Sequence, residues 1–234
     1  CMILNALTPN ANSKPIQAYD ISAACSGYLY ALQTAYDFLN SCPHGRVLLV
    51  TTETLSRKLD RTDANTAPIF GDGATATLLH GAIHKDAIRA QLYRPVLSAK
   101  GEDGQTLRVP HLHNGFVSMN GRKVFSEAVR AMIAMLTQAC TDAGIQAEEL
   151  DLVVPHQANQ RIIDAIRKRI NFPEDKVYSN IREIGNTSSS SIPLCLEHVF
   201  EECASGDWLG LCAFGGGFTW GSLYLKWAYD GKEN

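Results

Sequence analysis

Apolar positions in this chain fall into two kinds of segment that alternate: short continuous runs, and longer stretches with apolar residues three and four apart. Continuous runs bounded by turn residues read as buried strands, and the wider spacing reads as amphipathic helices. Residues 1–7 have the pattern of the last turns of a helix, residues 8–14 that of a polar loop, and residues 16–21 that of a first strand. A helix over 28–39 follows, ended by the run Ser-Cys-Pro-His-Gly at 41–45. The segment Arg-Val-Leu-Leu-Val-Thr-Thr at 46–52 is nearly continuous in apolar character, as for a strand covered on both faces. Residues 55–68 make a polar connection, and residues 69–80 place two glycines ahead of a strand of small and branched residues.

After a polar break at 84–86, residues 87–97 read as a strand and 100–114 as an irregular, Gly-containing excursion. A long helix over 124–140 sets Val124, Ala128, Met132, Met135 and Leu136 on one side. A strand over 150–155, a helix over 159–170, a short strand over 177–180 and a helix over 188–203 come next. Two strands, 208–214 and 219–227, close the chain around Gly215, Gly216 and Gly217. Strands alternating with helices imply an α/β fold built on largely parallel sheet. The pattern runs twice, once on each side of about Asp86, which divides the chain into related halves at residues 1–85 and 86–234.

The chemistry concentrates where strands give way to helices or loops. Ala-Tyr-Asp-Ile-Ser-Ala-Ala-Cys-Ser-Gly-Tyr-Leu-Tyr-Ala at 18–31 reads as strand, tight turn and helix, with Cys25 at the helix N-terminus. Unpaired amide N–H groups there favour negative charge, so the thiol is expected to ionise more readily than a free one. A lone cysteine in an apolar segment is more often structural. Three further segments lie at the ends of strands: Pro-His-Gln-Ala-Asn at 155–159, Gly-Asn-Thr-Ser-Ser at 185–189 and Phe-Gly-Gly-Gly-Phe-Thr-Trp-Gly at 214–221. Singly, His156 reads as a core histidine, Asn186 as a turn or cap residue, and the triple glycine as a hairpin bulge. Ligands of open α/β sheets sit outside the carboxyl ends of strands, which would bring all four segments to one cleft. Together Cys, His and Asn are the parts needed for acyl transfer through a thioester and for carbanion-forming condensation.

Composition narrows the partners. The 234 residues carry 21 Lys and Arg against 24 Asp and Glu, a formal net charge of −3, with no basic stripe of the kind that binds nucleic acid. No apolar stretch approaches the twenty or so residues of a membrane span, and no secretory signal opens the chain. Seven scattered cysteines fit a reduced, cytoplasmic protein better than a disulfide scaffold. His111 and His113 would share a strand face, but no third ligand sits at a suggestive spacing, so no metal site is expected. Phosphate-loop and dinucleotide fingerprints do not occur.

With Phe-Gly-Asp-Gly-Ala at 70–74 added, these motifs span almost the whole chain, and the chain resembles the β-ketoacyl-acyl-carrier-protein synthase III family of thiolase-fold condensing enzymes. The resemblance implies a thiolase-like, layered α-β-α-β-α fold of two related halves. It further implies that Cys25 is the acylated nucleophile and that His156 and Asn186 activate a malonyl-type thioester for decarboxylation. The amides of Cys25 and Gly216 would form the oxyanion hole, and Phe214 would border the reaction centre. Gly121, Phe125 and Asn159 would line the pantetheine channel, and Arg161 would meet the acyl-carrier protein. No cofactor is implied beyond the phosphopantetheine of CoA or carrier protein that brings the substrates. The same residues serve ester or amide formation without decarboxylation in some relatives, and a non-catalytic subunit or fragment is a further alternative.

Two departures from the family pattern stand out. Only 24 residues precede Cys25, room for one strand, whereas a βαβ unit alone takes about thirty, so the first half reads as incomplete at its N-terminus. Thr62-Asp63-Ala64-Asn65 places Ala64 where the family usually has an arginine against the CoA nucleotide, so carrier-bound and other acyl thioesters stand beside acyl-CoA as donors. An apolar strand at 16–21 with a free edge calls for pairing, either in a homodimer or with a complementary N-terminal polypeptide.

Overall fold

A computed structural model describes residues 2–7, 15–83, 88–110 and 115–228. The polar loop at 8–14, the break at 84–86 with the boundary between the halves, and the pair His111 and His113 lie outside the described residues.

The centre of the molecule is a five-stranded sheet. Strands β3 (Ala90–Leu92) and β4 (Val96–Ala99) both pair with β9 (Thr219–Trp227), which pairs with β8 (Trp208–Gly215), which in turn pairs with β7 (Leu152–Pro155). Side chains alternate across these strands and so divide the core in two. On one face Val153, Cys212, Phe214 and Tyr224 pack with helix α3 (Gly121–Ala143) and helix α4 (Gln160–Arg169). On the other, Val154, Leu211, Ala213 and Leu223 pack with α2 (Gly27–Ser41) and α6 (Ser191–Glu202). Beyond α2 and α6 lies a second, two-stranded sheet of β1 (Arg46–Glu53) and β2 (Gly73–His80). Four layers, α-β-α-β, are therefore formed by the described residues.

The apolar stripe expected on α3 is buried at Val124, Ala128, Met132 and Leu136, and Tyr224 donates a hydrogen bond to the Leu136 carbonyl beneath it. Two short strands, β5 (Leu107–Arg108) and β6 (Ser118–Met119), form a hairpin beside the start of that helix. Among the described residues the remaining α-helices are α1 (Met2–Leu7), none of whose residues is buried, and α5 (Ile181–Ile184).

Several expectations are corrected. The sheet is mixed, not largely parallel: among its ladders only β7 with β8 is parallel, because β8 and β9 are joined by a tight glycine turn that forces reversal. Residues 87–97 split into β3 and β4, since Pro95 has no N–H to continue a ladder. Val177 makes one bridge to Val153 in place of a strand. Strand β1 is not covered on both faces by the described residues; among them it pairs with β2 alone, and Leu48 and its cross-strand partner Leu78 are both exposed. Residues 16–21 belong to no ladder among the described residues, because no neighbouring strand lies beside them to pair with.

Candidate active site

Local geometry sets Cys25 on a strained turn. A 3-10 turn, Ala24–Ser26, runs directly into α2, and Ala24 is held at φ 48°, a left-handed conformation that costs a non-glycine residue about 1 kcal/mol or more. Hydroxyls tie this turn to the glycine turn between β8 and β9. Ser26 Oγ donates to the Ala23 carbonyl at 2.8 Å and lies 2.6 Å from Thr219 Oγ1, which itself sits 3.1 Å from the Gly216 carbonyl oxygen. Gly215 packs so tightly against the cysteine that a Cβ there would stand 2.7 Å from the Cys25 amide nitrogen.

The thiol differs from expectation. Burial pushes its pKa up to about 11, and Glu53 adds to the rise, against an opposing hydrogen bond from Ser188. Desolvating a thiolate outweighs the half-charge of a helix N-terminus once the sulfur is enclosed. Cys25 therefore rests as a neutral thiol at pH 7, a correction to the expected easy ionisation.

His156 follows β7, its amide bonded to the Cys212 carbonyl at 2.7 Å. Its ring is 1% exposed, with Nδ1 2.6 Å from Ser191 Oγ and Nε2 buried without a hydrogen-bond partner. Burial drives its pKa down to about 3, so the imidazole is neutral. The next residue, Gln157, acts as a clamp. Its amide nitrogen donates to the Pro155 carbonyl at 2.8 Å, and its oxygen accepts from Ser179 Oγ and the Asn180 N–H, each at 3.1 Å. The segment that leads through α5 to Asn186 is thereby fixed against the histidine loop.

Asn186 is held on both sides. Its N–H donates to the Ile69 carbonyl and its carbonyl accepts from the Gly71 N–H, each at 2.9 Å, which explains the Phe-Gly-Asp-Gly motif: a side chain on Gly71 would strike the Ile184 carbonyl. Asp72 of the same motif accepts from Ser56 N and Oγ at 2.8 and 2.6 Å, and these bonds hold its carboxyl below the usual range. The Asn186 Oδ1 accepts from the Ser188 N–H at 2.9 Å, while Nδ2 makes one long bond, 3.4 Å, to the Ala158 carbonyl and keeps a second hydrogen for the cleft. Glu53 anchors the turn that follows, accepting from Ser189 Oγ at 2.5 Å and Ser189 N at 3.2 Å.

One cleft of about 1300 Å³ collects these groups. Cys25, His156, Asn186, Phe214 and Gly216 all line it. So do Gly121 and Phe125 at the start of α3, and Asn159 and Arg161 at the start of α4. Asn159 also caps its helix, its Oδ1 accepting from the Arg161 N–H at 2.9 Å. The nine residues to which the resemblance gives a site role thus line one space. Lys58, Arg108 and Arg122 join Arg161 in lining it, a cationic set suited to a phosphate. In the loop 62–65 it is Asp63 and Asn65, not Ala64, that reach the cleft.

Sequence reasoning missed Gly215, Gln157, Ser191, Thr219 and Glu53. Gln157 and Thr219 lie inside the motifs already noted, and Ser191 is one of four consecutive serines, so composition alone could not separate it.

Comparisons with known proteins give the family. Residues 19–101 match the family model for 3-oxoacyl-[acyl-carrier-protein] synthase III, and residues 140–227 match the model for its C-terminal part. Beta-ketoacyl-[acyl-carrier-protein] synthase III 1 of Bacteroides thetaiotaomicron is 38% identical over 230 residues, covering 93% of this chain and 68% of that protein. The Aquifex aeolicus relative of that name is 39% identical over 219 residues, covering 92% of this chain and 68% of its own length. A crystal structure of the Aquifex aeolicus 3-oxoacyl-[acyl-carrier-protein] synthase III superposes with a TM-score of 0.87 at 36% identity, over 97% of this chain and 71% of that one. The priming β-ketosynthase of the R1128 polyketide pathway superposes at 0.80 with 30% identity, over 91% and 66%. A chain with this thiolase-type layering, this cysteine turn and these relatives belongs to the 3-oxoacyl-[acyl-carrier-protein] synthase III family of condensing acyltransferases.

Proposed function

We propose that this chain catalyses a decarboxylative Claisen condensation of an acyl thioester with malonyl-acyl-carrier protein, in the initiation of fatty-acid or polyketide chains. The observation that carries the reading is the convergence of Cys25 on its 3-10 turn, His156 at the end of β7 and Asn186 after α5 on one cleft. In the first half-reaction the Cys25 sulfur attacks the donor carbonyl and the amides of Cys25 and Gly216 hold the oxyanion. The C–S bond to the donor thiol then breaks, and that thiol leaves with the cysteine proton. In the second, the malonyl C–C bond breaks, CO2 departs, and its electron pair becomes the thioester enolate. Hydrogen bonds from His156 Nε2 and Asn186 Nδ2 stabilise that enolate. Its α-carbon attacks the acyl-Cys25 carbonyl and expels Cys25 as a thiolate, which takes one proton from water to return to the resting thiol. Atoms and electrons balance without a metal or redox cofactor.

A neutral imidazole suits this role, because a group that donates a hydrogen bond without giving up its proton does not quench the carbanion. Lys58, Arg108, Arg122 and Arg161 support phosphopantetheine as the handle, on carrier protein or CoA, with Arg161 meeting the carrier protein. Among the described residues no helix is long and apolar enough to cross a membrane, and the six described cysteines are free thiols, which suits a reducing cytoplasm.

Intact-protein mass after incubation with a panel of acyl-CoA and acyl-carrier-protein thioesters tests the reading. One acyl adduct is expected, absent in Cys25→Ala. His156→Ala or Asn186→Ala should lower condensation about a hundredfold while leaving that adduct, the scale on which a single oxyanion donor acts. Adduct on another cysteine would refute the site, and equal loss in both half-reactions would favour the ester- or amide-forming alternative.

A further inference from the structure

We propose that Ser191 is a positioning residue that locks His156 in the tautomer with its proton on Nε2, aimed into the cleft. The inference rests on the function proposed above for the reaction step, but the tautomer itself follows from hydrogen-bond accounting. Ser191, the first residue of α6, is fully buried, and its Oγ lies 2.6 Å from His156 Nδ1. The same oxygen accepts the Gln157 N–H at 3.3 Å. A hydroxyl has one proton to donate and two lone pairs, and a neutral imidazole has one donor and one acceptor nitrogen.

With one lone pair filled by Gln157, two arrangements remain. If Nδ1 carried the proton, it would fill the second lone pair, and the Ser191 O–H would have to find another acceptor. Among the described residues the hydroxyl has only the His156 and Gln157 partners, so a buried donor would be left unmade, which folded proteins avoid. If instead Ser191 donates to Nδ1, the hydroxyl and Nδ1 are both satisfied and Nε2–H is the single group left unmet, against two, the Ser191 O–H and the Nε2 lone pair, in the first arrangement. The imidazole proton then sits on Nε2, which has no protein partner and belongs to a cleft-lining residue. His156 is thereby a standing hydrogen-bond donor and not a base, which is what an enolate or thioester oxygen requires and what ester or amide formation, with its need for a general base, does not. The hydrogen bonds of the Gln157 backbone N–H and side-chain amide make the lock rigid, since the residue that holds Ser191 Oγ from one side also clamps the histidine loop.

The test reads the tautomer directly. Protein labelled with 15N-histidine is examined by two-bond 1H–15N correlation at neutral pH, with the His156 signals identified by their loss in His156→Gln. The Nε2–H pattern is expected in the unmodified protein. Ser191→Ala should shift it toward Nδ1–H or a mixture. The same variant should slow malonyl-thioester decarboxylation by about tenfold or more, the scale of losing a group that orients an imidazole, while Cys25 acylation changes much less. Ser191→Thr, which keeps the hydroxyl, should restore both readouts. An Nδ1–H pattern in the unmodified protein overturns the proposal, even if Ser191→Ala does not fold. An unchanged pattern in a folded Ser191→Ala overturns it too. Because the spectrum is recorded on resting protein, a failure of the condensation reading would leave the tautomer result standing or falling by itself.

Discussion

Gly215 and Cys25 meet backbone to backbone: a Cβ on Gly215 would lie 2.7 Å from the Cys25 amide nitrogen and 3.0 Å from that of Ser26. Neither neighbour is the free end of a side chain, so a larger residue displaces the cysteine turn itself. Gly215→Ala is expected to move the amide that would hold the oxyanion and to lower Cys25 acylation about a hundredfold or more, the cost of losing one such donor. Stopped-flow acylation with mass detection measures it, alongside a thermal melt to separate misplacement from unfolding. Acylation within a factor of about two of the unmodified protein would show that the close approach has no catalytic consequence.

The buried thiol makes a pH prediction. With the Cys25 pKa raised to about 11, the thiolate fraction grows about tenfold per pH unit from 7 to 10. Alkylation of Cys25 by iodoacetamide, followed by peptide mass, should rise over that whole interval without a plateau. A plateau near pH 7 would instead mean that the helix N-terminus prevails over desolvation.

His156 has the opposite shift and a different consequence. Its pKa is about 3 in the folded protein and near 6.5 when unfolded, so below pH 6.5 the unfolded chain binds a proton that the folded one refuses. Stability contributed by this group is intact above pH 6.5 and falls as pH drops toward 3, with a slope of up to about 1.4 kcal/mol per pH unit. Carboxylates such as Asp72 and Asp103, held low by their partners, add a loss at more acid pH in any variant. Urea unfolding between pH 6.5 and 4.5 should therefore show a shallower slope in His156→Gln than in the unmodified protein. Identical slopes would mean the imidazole takes up its proton without unfolding.

Residues 16–21 carry the assembly prediction. Ile16, Tyr19 and Ile21 are exposed, Tyr19 at 61%, in a segment that leads straight into the catalytic turn. Pairing this segment with its copy, or with a complementary polypeptide, would supply the strand ladder it lacks among the described residues. Sedimentation at micromolar concentration should give a dimer or a heterologous complex, and Ile16→Lys with Ile21→Lys should weaken it. A folded, soluble monomer of the unmodified chain would refute the pairing.

Elements whose identity depends on local pattern were legible in the sequence. Helices α2, α3, α4 and α6 and strands β2, β7, β8 and β9 lie where apolar spacing and turn residues put them, because a helix or strand end is decided within a few residues. The reacting trio was legible from the small and polar motifs around each residue, although only His156 follows a strand; Cys25 sits on a 3-10 turn and Asn186 after α5. What neighbours decide was not. The strand at 16–21 fails for want of a ladder, β1 is bare on one face because nothing described packs beyond it, and β8 reverses into β9 instead of running parallel. The Cys25 pKa turned on enclosure, a property of the packed cleft and not of the helix it begins. Gln157 and Ser191 act through bonds to residues 23 and 35 positions away along the chain, and only folding brings those partners within 3.3 Å.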